Sequence, residues 1–319
     1  MEAIYITQEN VVLHRCAEHL IIKKRGRKVG TIPLANVKTI VLLSGIQLTS
    51  AALDILFARN IDVVFTSRSG VIKGRIYAQT GGGAITRLAQ LSAFINPQKR
   101  LAIAKVIVAA KILNQSSLIS KNIKYYPLEI YKTGIKSIGE HFVKLEKSKS
   151  IEMVMGIEGV CARIYWHCFR QLLKEALFLR RDFRPAPDIV NSALNLGYSF
   201  LANEITTCLA ANKFDVEIGF LHSVHYGRNS LTLDIMEEFR SPFVDAWLLA
   251  LFNRRILNEN CFQGVNKGFY LNDIGFQKFC AHYHTHINKG GWRRKFQNQA
   301  FDLKKSLLEE GAYHPYIHE

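Results

Sequence analysis

The sequence predicts an α+β protein, in which a β-rich N-terminal domain is followed by a larger all-α domain. Residues 1–80 contain short segments rich in Val, Ile and Thr between turn signals, which is typical of strands. From residue 85 onward, apolar residues recur at three- and four-residue spacings, which indicates helices. At 319 residues, 48% of them hydrophobic, the chain is long enough for two cores. We therefore expect a first domain at 1–80, a linker at 81–96 and a helical domain at 97–319.

The first domain is predicted to contain one helix among its strands. Thr49 or Ser50 can cap a helix over residues 49–60, because a hydroxyl accepts hydrogen bonds from the free N–H groups of a first turn. Its apolar face would contain Leu53 and Leu56. The strands are expected at residues 3–7, 11–14, 19–24, 28–32, 37–43, 62–67 and 71–77.

Consecutive glycines mark the joint between the domains. No Lys-Ser or Lys-Thr pair follows them, so the segment 79–84 favours a flexible joint over a phosphate-binding loop. Further along, Asn191 and Asn195 lie inside an apolar helical pattern and need hydrogen-bond partners, which indicates a structural role. Helices are predicted at 97–120, 152–176, 189–212, 243–258 and 292–310, whereas 125–150 is weakly patterned and 261–291 reads as irregular.

The charge is strongly basic and unevenly distributed. The net charge is +16, and residues 1–149 carry 23 Lys and Arg against 8 Asp and Glu. Residues 150–319 are nearly balanced, with 19 against 18. Such a distribution indicates a polyanionic partner, and nucleic acid is the commonest one. Our candidates for contacts to the DNA backbone are Arg75, Arg87, Arg100, Lys105, Lys111 and Arg228.

Other sequence features exclude several classes of protein. No run of 18 apolar residues predicts a membrane span, and the first residues lack the pattern of a secretion signal. The six cysteines are scattered without a C-x-x-C pair, which is typical of reduced cysteines in a cytoplasmic protein. We also find no signature of a serine or cysteine nucleophile.

An acidic group dominates residues 219–240, where a glycine-punctuated loop leads into a short helix. Asp234, Glu237 and Glu238 recur there at three- and four-residue spacings and are expected on one helix face. Such a group either forms a solvated acidic face or is stabilised by positive charge, which a bound cation or a nearby Arg or Lys could supply. The pattern of the acids alone does not decide between the two.

His222 and Glu158 favour the cation. His222 lies in the loop before the acidic helix, and Glu158 lies between Gly156 and Gly159 on an earlier helix. Glycines inside a helix cost stability, which suggests that another group approaches closely there. Carboxylates with one imidazole suit Mg²⁺ or Mn²⁺ better than a structural zinc ion.

Rival hypotheses remain open from the residues alone. The alternating segment 280–286 could bind zinc, although one strand rarely supplies all ligands of a site. A DNA-binding scaffold without chemistry would explain the charge but not the acids. A metal-dependent phosphohydrolase would explain the acids but not the charge. The residues of the zinc hypothesis are Cys280, His282, His284 and His286.

Five motifs are spread along the chain. They are Lys111-Ile112-x-Asn114-Gln115, Glu158-Gly159-x-x-Ala162-x-x-Tyr165, Asp188-x-x-Asn191-x-x-Leu194-Asn195-x-Gly197-Tyr198, Gly219-Phe220-Leu221-His222 and Gly227-Arg228-x-Ser230-Leu231-x-Leu233-Asp234-x-Met236-Glu237-Glu238-Phe239-Arg240. Together with the β-rich start, these motifs resemble those of one family over nearly the whole chain, the CRISPR-associated adaptation integrases and endonucleases called Cas1 (Cas-one).

The resemblance implies a fold, partners and an activity. The N-terminal domain would be β-sandwich-like and would pair two chains in a homodimer. Two such dimers would be bridged by a dimer of the small protein Cas2 (Cas-two). The assembly would bind double-stranded and branched DNA and insert short spacer duplexes into a CRISPR array through attack of a 3′-OH. No membrane is involved.

The resemblance also implies the site. Glu158, His222 and Glu237 would be the ligands of Mg²⁺ or Mn²⁺, and Asp234 would be a second acid close to the metal. Some relatives have Asp at the position of Glu237, which keeps the carboxylate. His222 is favoured over the nearby His225 because it directly follows the Gly-Phe-Leu motif.

Overall fold

The computed structural model describes residues 2–43, 45–67, 72–77, 83–123, 129–175, 177–182, 185–266 and 268–318. The chain divides into two compact units, Met1–Gly82 and Gly83–Glu319. We call them the N-terminal and C-terminal units and describe each by itself.

The N-terminal unit is built from strands, with one helix. In chain order they are β1 (Glu2–Ile6), β2 (Val11–Cys16), β3 (His19–Lys24), β4 (Arg27–Pro33), β5 (Val37–Leu42), β6 (Gln47–Leu48), α1 (Ser50–Ala58), β7 (Asp62–Thr66) and β8 (Ile72–Ile76).

These strands form two four-stranded sheets. In one sheet β1, β5 and β7 are parallel, and β8 runs antiparallel to β7. In the other, β2, β3 and β4 are antiparallel neighbours, and β6 runs parallel to β2. The predicted strands and the predicted helix are thus confirmed, with Thr49 as the N-cap that accepts from the Ala52 N–H at 3.3 Å. Only the two-residue β6 was not expected, because so short a strand has no detectable alternation.

The C-terminal unit is mostly helical. Its elements are α2 (Ala84–Ile95), α3 (Pro97–Ile123), α4 (Glu129–Glu146), α5 (Ile151–Leu172), α6 (Ile189–Ala211), α7 (Ser230–Met236), a π-helical turn (Arg240–Asp245), α8 (Ala246–Asn253), a 3₁₀ turn (Glu259–Cys261), β9 (Phe262–Val265), β10 (Gly268–Leu271), α9 (Asp273–Lys289) and α10 (Trp292–Leu308). This confirms the α+β class with the strands concentrated at the start of the chain.

Three segments differ from the sequence prediction. Most of the expected linker 81–96 is helix α2, which packs against α3 and α10, and residues 81–82 lie outside the described part. The weakly patterned segment 125–150 contains α4, whose buried residues are Tyr131, Gly134, Ile138 and Leu145; the glycine contributes no apolar side chain to the pattern. The segment 261–291 contains the β9–β10 hairpin and α9 rather than irregular structure.

Two long helices place the site within the core. Helix α6 is buried along most of its length, and Arg181 donates to the side-chain oxygens of Asn191 at 2.8 Å and Asn195 at 2.7 Å. This arrangement confirms the structural role predicted for both asparagines. Helix α3 is long and apolar enough to cross a membrane by length and composition, but 56% of its most apolar window is buried within the protein. It packs against α4 and α5 as a core helix would.

Candidate active site

The three acids predicted on one helix face, Asp234, Glu237 and Glu238, do not share a face in the structure. Helix α7 ends at Met236, so Glu237 and Glu238 lie in the turn that follows it. Asp234, Glu237 and Glu238 are each at most 5% exposed, and each side chain contacts a different set of partners. The solvated acidic face is therefore wrong, and so is the expectation of one carboxylate cluster. Because burial of a charge is costly, each acid requires its own compensation.

Asp234 organises the loop that carries His222. Its carboxylate accepts from the backbone N–H groups of Phe220, Leu221 and His222, the last two at 2.9 Å. Nδ1 of His222 lies 2.7 Å from Oδ1 of Asp234 and donates to it. Four donors thus match the four lone-pair positions of one carboxylate. The imidazole is fixed with its Nε2 lone pair available, which is the arrangement that a metal-ligating histidine adopts.

Gly219 allows this loop to pack against α7. A Cβ at this position would lie 2.8 Å from Oδ2 of Asp234 and 2.7 Å from the backbone carbon of Ser230. Neither contact can relax without moving backbone or the buried carboxylate. Only glycine therefore fits between the loop and the helix.

We expect Gly219→Ala to destabilise the protein by roughly 1–3 kcal/mol, the usual cost of forcing extra atoms into a packed core. Urea unfolding followed by circular dichroism measures the change. Gly264→Ala is the matched control, because a Cβ there meets no atom within 4 Å. Equal stability of the two variants would contradict the tight packing at Gly219.

Glu158 and Glu237 converge on a buried lysine. Nζ of Lys111 forms an ion pair with Oε1 of Glu158 and lies 2.6 Å from Oε2 of Glu237. Arg240 completes the group, because its Nε donates to Oε1 of Glu237 at 3.1 Å. The sequence motif contained Arg240 but gave it no role, although its position three residues after Glu237 places it on the same helical side.

Charge neighbours set the ionisation of Glu237. Burial alone would raise its pKa, but the charges of Arg240 and Lys111, with a smaller contribution from His222, lower the pKa of Glu237 to about 2. Glu237 is therefore an anion at neutral pH.

The third acid, Glu238, holds the end of the chain. Tyr313 donates its hydroxyl to Oε1 at 2.6 Å, and the Tyr316 N–H donates to Oε2 at 2.8 Å. Burial raises the pKa of Glu238 to about 8, and the two donors offset part of that effect. Asn114 on α3 donates to both the Glu238 carbonyl and the Tyr316 carbonyl, so the C-terminal segment is tied to the helix that carries Lys111.

A buried aspartate, Asp245, accepts a hydrogen bond from the tyrosine against which Arg240 packs. The Arg240 guanidinium lies 4.6 Å from the ring centre of Tyr198, a cation–π contact. The hydroxyls of Tyr198 and Tyr165 both donate to Asp245, in the π-helical turn. Burial raises the pKa of Asp245 to about 6. Sequence analysis missed Asp245, and its one signal was an acid in an otherwise apolar helix.

The other basic candidates lie in varied environments. Arg100 is half-buried and donates to the Phe220 carbonyl at 2.9 Å, next to the His222 loop. Lys105 donates to the Glu146 carbonyl, and Arg87 is exposed on α2. Arg228 donates to the loop residue Ser223 and does not pair with the acids of α7.

One of the candidates is not suited to backbone contacts in this structure. Lys111 is only 9% exposed, and its ammonium is occupied by two carboxylates, so it is not presented to a duplex. Arg75 lies on β8 of the N-terminal unit and is half-buried, as Arg100 is, so it stays a candidate. A basic side chain in sequence does not reveal whether it is exposed.

The zinc hypothesis for residues 280–286 is contradicted. The segment is helical, so Cys280 and His284 lie on one side of α9, while His282 and His286 lie on another. His286 donates from Nε2 to the Phe243 carbonyl at 2.8 Å and stacks on Trp247, and burial lowers its pKa to about 4. It is a structural histidine.

The glycines beside Glu158 have no close neighbour in the chain. A Cβ at Gly156 or Gly159 would meet no atom within 4 Å, and both positions are exposed. The close approach that we expected from the sequence is thus not made by a described part of this protein. On both sides of Glu158 the helix is therefore open to solvent at these glycines.

The residues of this site are of the types that bind a divalent cation. Oε2 of Glu237 is buried, and Nζ of Lys111 lies 2.6 Å from it, so a positive charge already lies against this carboxylate. Two carboxylates and one oriented imidazole are ligands that suit Mg²⁺ or Mn²⁺. Among the residues that the structure describes, no three His, Cys, Asp or Glu side chains already stand at metal-binding spacing. Lys111 lies between the two carboxylates.

The fold and the site define a two-unit α+β protein with a buried histidine–carboxylate centre in its helical unit. The family profile described as CRISPR associated protein Cas1 matches residues 4–285. This chain belongs to the Cas1 family, as its motifs predicted. The CRISPR-associated endonuclease Cas1 3 of Thermus thermophilus is 31% identical over 328 residues, covering 98% of this chain and 96% of that protein.

Solved structures agree with this assignment. A CAS1 protein from Thermotoga maritima superposes with a TM-score of 0.86 at 26% identity, and the match covers 100% of both chains. A casposase bound to its integration product gives a TM-score of 0.86 at 23% identity, covering 100% of this chain and 95% of that one. The second likeness concerns the fold.

Proposed function

We propose that this protein is a metal-dependent DNA endonuclease and integrase of CRISPR adaptation, which joins spacer DNA to a CRISPR array through attack of a 3′-OH on a phosphodiester. The observation that carries the proposal is the convergence of Glu158 and Glu237 on one point, together with the orientation of His222 by Asp234. The related proteins that are named endonucleases support the nuclease class. The basic first part of the chain supports DNA as the substrate.

Each residue of the site has a part in this chemistry. Glu158, His222 and Glu237 would hold Mg²⁺ or Mn²⁺, which supplies polarisation of the target phosphodiester and activation of the attacking hydroxyl. Asp234 fixes the tautomer and direction of His222. Arg240 balances the charge of Glu237 and fixes its carboxylate. No nucleotide cofactor is required, because one phosphodiester replaces another.

The proposed partners follow from the family and from the fold. A protein of similar fold has been solved as a Cas6-RT-Cas1–Cas2 complex, and another as a Cas1–DNA complex. We propose double-stranded and branched DNA as substrates, a Cas2 dimer as partner and a homodimer formed through the N-terminal unit. The site of action would be the cytoplasm, where the DNA lies.

A strand-transfer assay on branched DNA with Mn²⁺ or Mg²⁺ tests the proposal. We expect wild type to rejoin or insert the 3′-OH strand and His222→Ala to lose this activity. His225→Ala is the matched control, because His225 is exposed and its ring contacts only the neighbouring Tyr226 carbonyl at 3.2 Å. Activity of His222→Ala at the wild-type level would contradict the proposed centre.

The same experiment separates the rival functions. A scaffold would bind branched DNA and leave it unchanged with either metal, also after addition of Cas2. A phosphohydrolase would hydrolyse a small phosphate ester faster than DNA. Either result would overturn the integrase proposal.

The open surface beside Glu158 gives a further prediction. We expect Gly159→Leu to stabilise the free protein by roughly 0.5–1 kcal/mol, because leucine is the better helix former and its Cβ would meet no atom within 4 Å. If DNA passes over this surface, the same change should reduce strand transfer at least tenfold. Thermal unfolding and the branched-DNA assay measure the two effects. Gly139→Leu, an exposed glycine of α4 with the same free space, should gain stability without losing activity.

A further inference from the structure

We propose that Lys111 is an internal competitor of the divalent cation: its ammonium lies between Glu158 and Glu237 and offsets part of their charge before a cation binds, and must leave when one does. The inference rests on the metal centre proposed above and adds a regulatory residue to it. Lys111 would thereby set the concentration of metal at which the site is loaded. The residue that seemed to be a DNA contact would instead control the chemistry.

The geometry of Lys111 supports this role. The residue lies within helix α3, is almost fully buried and contacts both carboxylates with a single ammonium. Two carboxylates that share one site repel each other unless a cation lies between them. Lys111 supplies one positive charge at that point. A cation held by both Glu158 and Glu237 would compete with this ammonium for the same carboxylates.

The contacts also indicate which cation leaves. Arg240 donates to Oε1 of Glu237, the carboxylate oxygen that Lys111 does not contact, and its guanidinium lies over the ring of Tyr198. These two contacts hold the guanidinium in place. Lys111 reaches the carboxylates through a flexible four-carbon stem and a compact ammonium. A change of side-chain rotamer alone would move this ammonium, without a change in the backbone of α3. Arg240 therefore remains with Glu237, and Lys111 is the displaceable charge.

This arrangement predicts opposite effects on stability and on metal affinity when the lysine is neutralised. Without Lys111, the two carboxylates repel each other in the metal-free protein, so stability in EDTA should fall. The same loss removes the competitor, so affinity for the cation should rise. A lysine with a merely structural role would lower both quantities, because a disturbed site binds metal less well.

The test is a titration of the EDTA-treated, dialysed full-length protein with Mn²⁺, followed by isothermal calorimetry. We expect Lys111→Met to bind Mn²⁺ at least tenfold more tightly than wild type, and its thermal midpoint in EDTA to lie below that of wild type. Lys111→Gln should show the same gain in affinity, and its amide can still donate to a carboxylate if the Met variant does not fold. Lys99→Met, on the same helix but in a surface pair with Glu310, should match wild type.

The outcomes distinguish this inference from the proposed function. Equal or weaker Mn²⁺ affinity of the folded neutral variants would overturn the competitor role while the metal centre stands. If neither wild type nor any variant binds Mn²⁺, the metal centre itself is wrong, and the competitor falls with it. Tighter binding by both neutral variants but not by Lys99→Met supports the inference.

Discussion

Replacing Glu237 with glutamine should reduce metal-dependent DNA processing by roughly a thousandfold. Glutamine keeps the shape of the side chain but removes one of the two charges that would hold the cation, and a metal ion contributes several kcal/mol to the stabilisation of such a transition state. About 4 kcal/mol corresponds to that factor in rate. The branched-DNA strand-transfer assay, run under single-turnover conditions with Mn²⁺, measures the loss.

Glu217→Gln is the matched control for this change, because Glu217 is an exposed acid a few residues before the His222 loop. It should keep wild-type activity. DNA binding by Glu237→Gln should also persist, since neutralising a buried acid removes no positive charge from the surface. Retention of strand transfer by Glu237→Gln would place the metal elsewhere.

The pH dependence of stability gives a second readout for Glu237. Its pKa of about 2 in the folded protein lies below the ordinary 4.5, so folding favours the charged form. The stabilisation is therefore complete above pH 4.5 and is lost as the pH falls towards 2. The difference in unfolding free energy between wild type and Glu237→Gln should be constant at neutral pH and should shrink on acidification.

Replacing Asp234 with asparagine should destabilise the protein by about 3 kcal/mol and reduce activity by roughly 10- to 100-fold. The amide nitrogen of asparagine cannot accept a hydrogen bond, so backbone N–H groups of residues 220–222 that donate to the replaced oxygen lose their acceptor. Buried donors that lose a charged acceptor cost free energy of this size. The loss of activity follows from release of His222, because removal of a group that orients a metal ligand has effects of that size.

The two effects of Asp234→Asn can be measured separately. Urea unfolding gives the change in stability, and ¹⁵N NMR of the His222 ring reports the tautomer. We expect wild type to carry the proton on Nδ1, and the variant to lose that preference. Asp215→Asn is the control, because Asp215 is only partly buried and its carboxylate accepts from the Glu217 N–H near the surface. An unchanged tautomer in Asp234→Asn would contradict the orienting role.

Much of this fold could be predicted from local patterns in the sequence. The strands of the N-terminal unit and helices such as α5 and α6 were predictable because alternation and helical spacing are encoded by near neighbours. Helix α9 was not predicted, because its cysteine and histidines occur at every second position, as polar residues do in a strand. Its buried residues Phe279, Tyr283 and Ile287 follow the four-residue spacing of a helix.

The site was predictable in its members but not in its pairings. The motifs brought Glu158, His222 and Glu237 together, yet no local rule shows that Lys111, 47 residues before Glu158, lies between two acids. The same limit applies to Glu238, which looks like its neighbour in sequence but accepts hydrogen bonds from a segment 75 residues further on. Long-range contacts, and not residue types, give these acids different tasks.

The wide turn at Arg240–Asp245 acts as a one-residue insertion in the helical path. The Ala246 N–H donates to the Ser241 carbonyl, five residues back, where an α-helix would use four. Each added residue shifts the angular phase of a helix by about 100°. The insertion thus lets Arg240 point at Glu237 while Phe243 and Val244 remain in the core. Deleting one residue here would leave the hydrophobic composition almost unchanged. It would, however, rotate either Arg240 away from Glu237 or Phe243 and Val244 out of the core. During divergence of such chains, the length of this segment should therefore be more strictly preserved than its individual residue types.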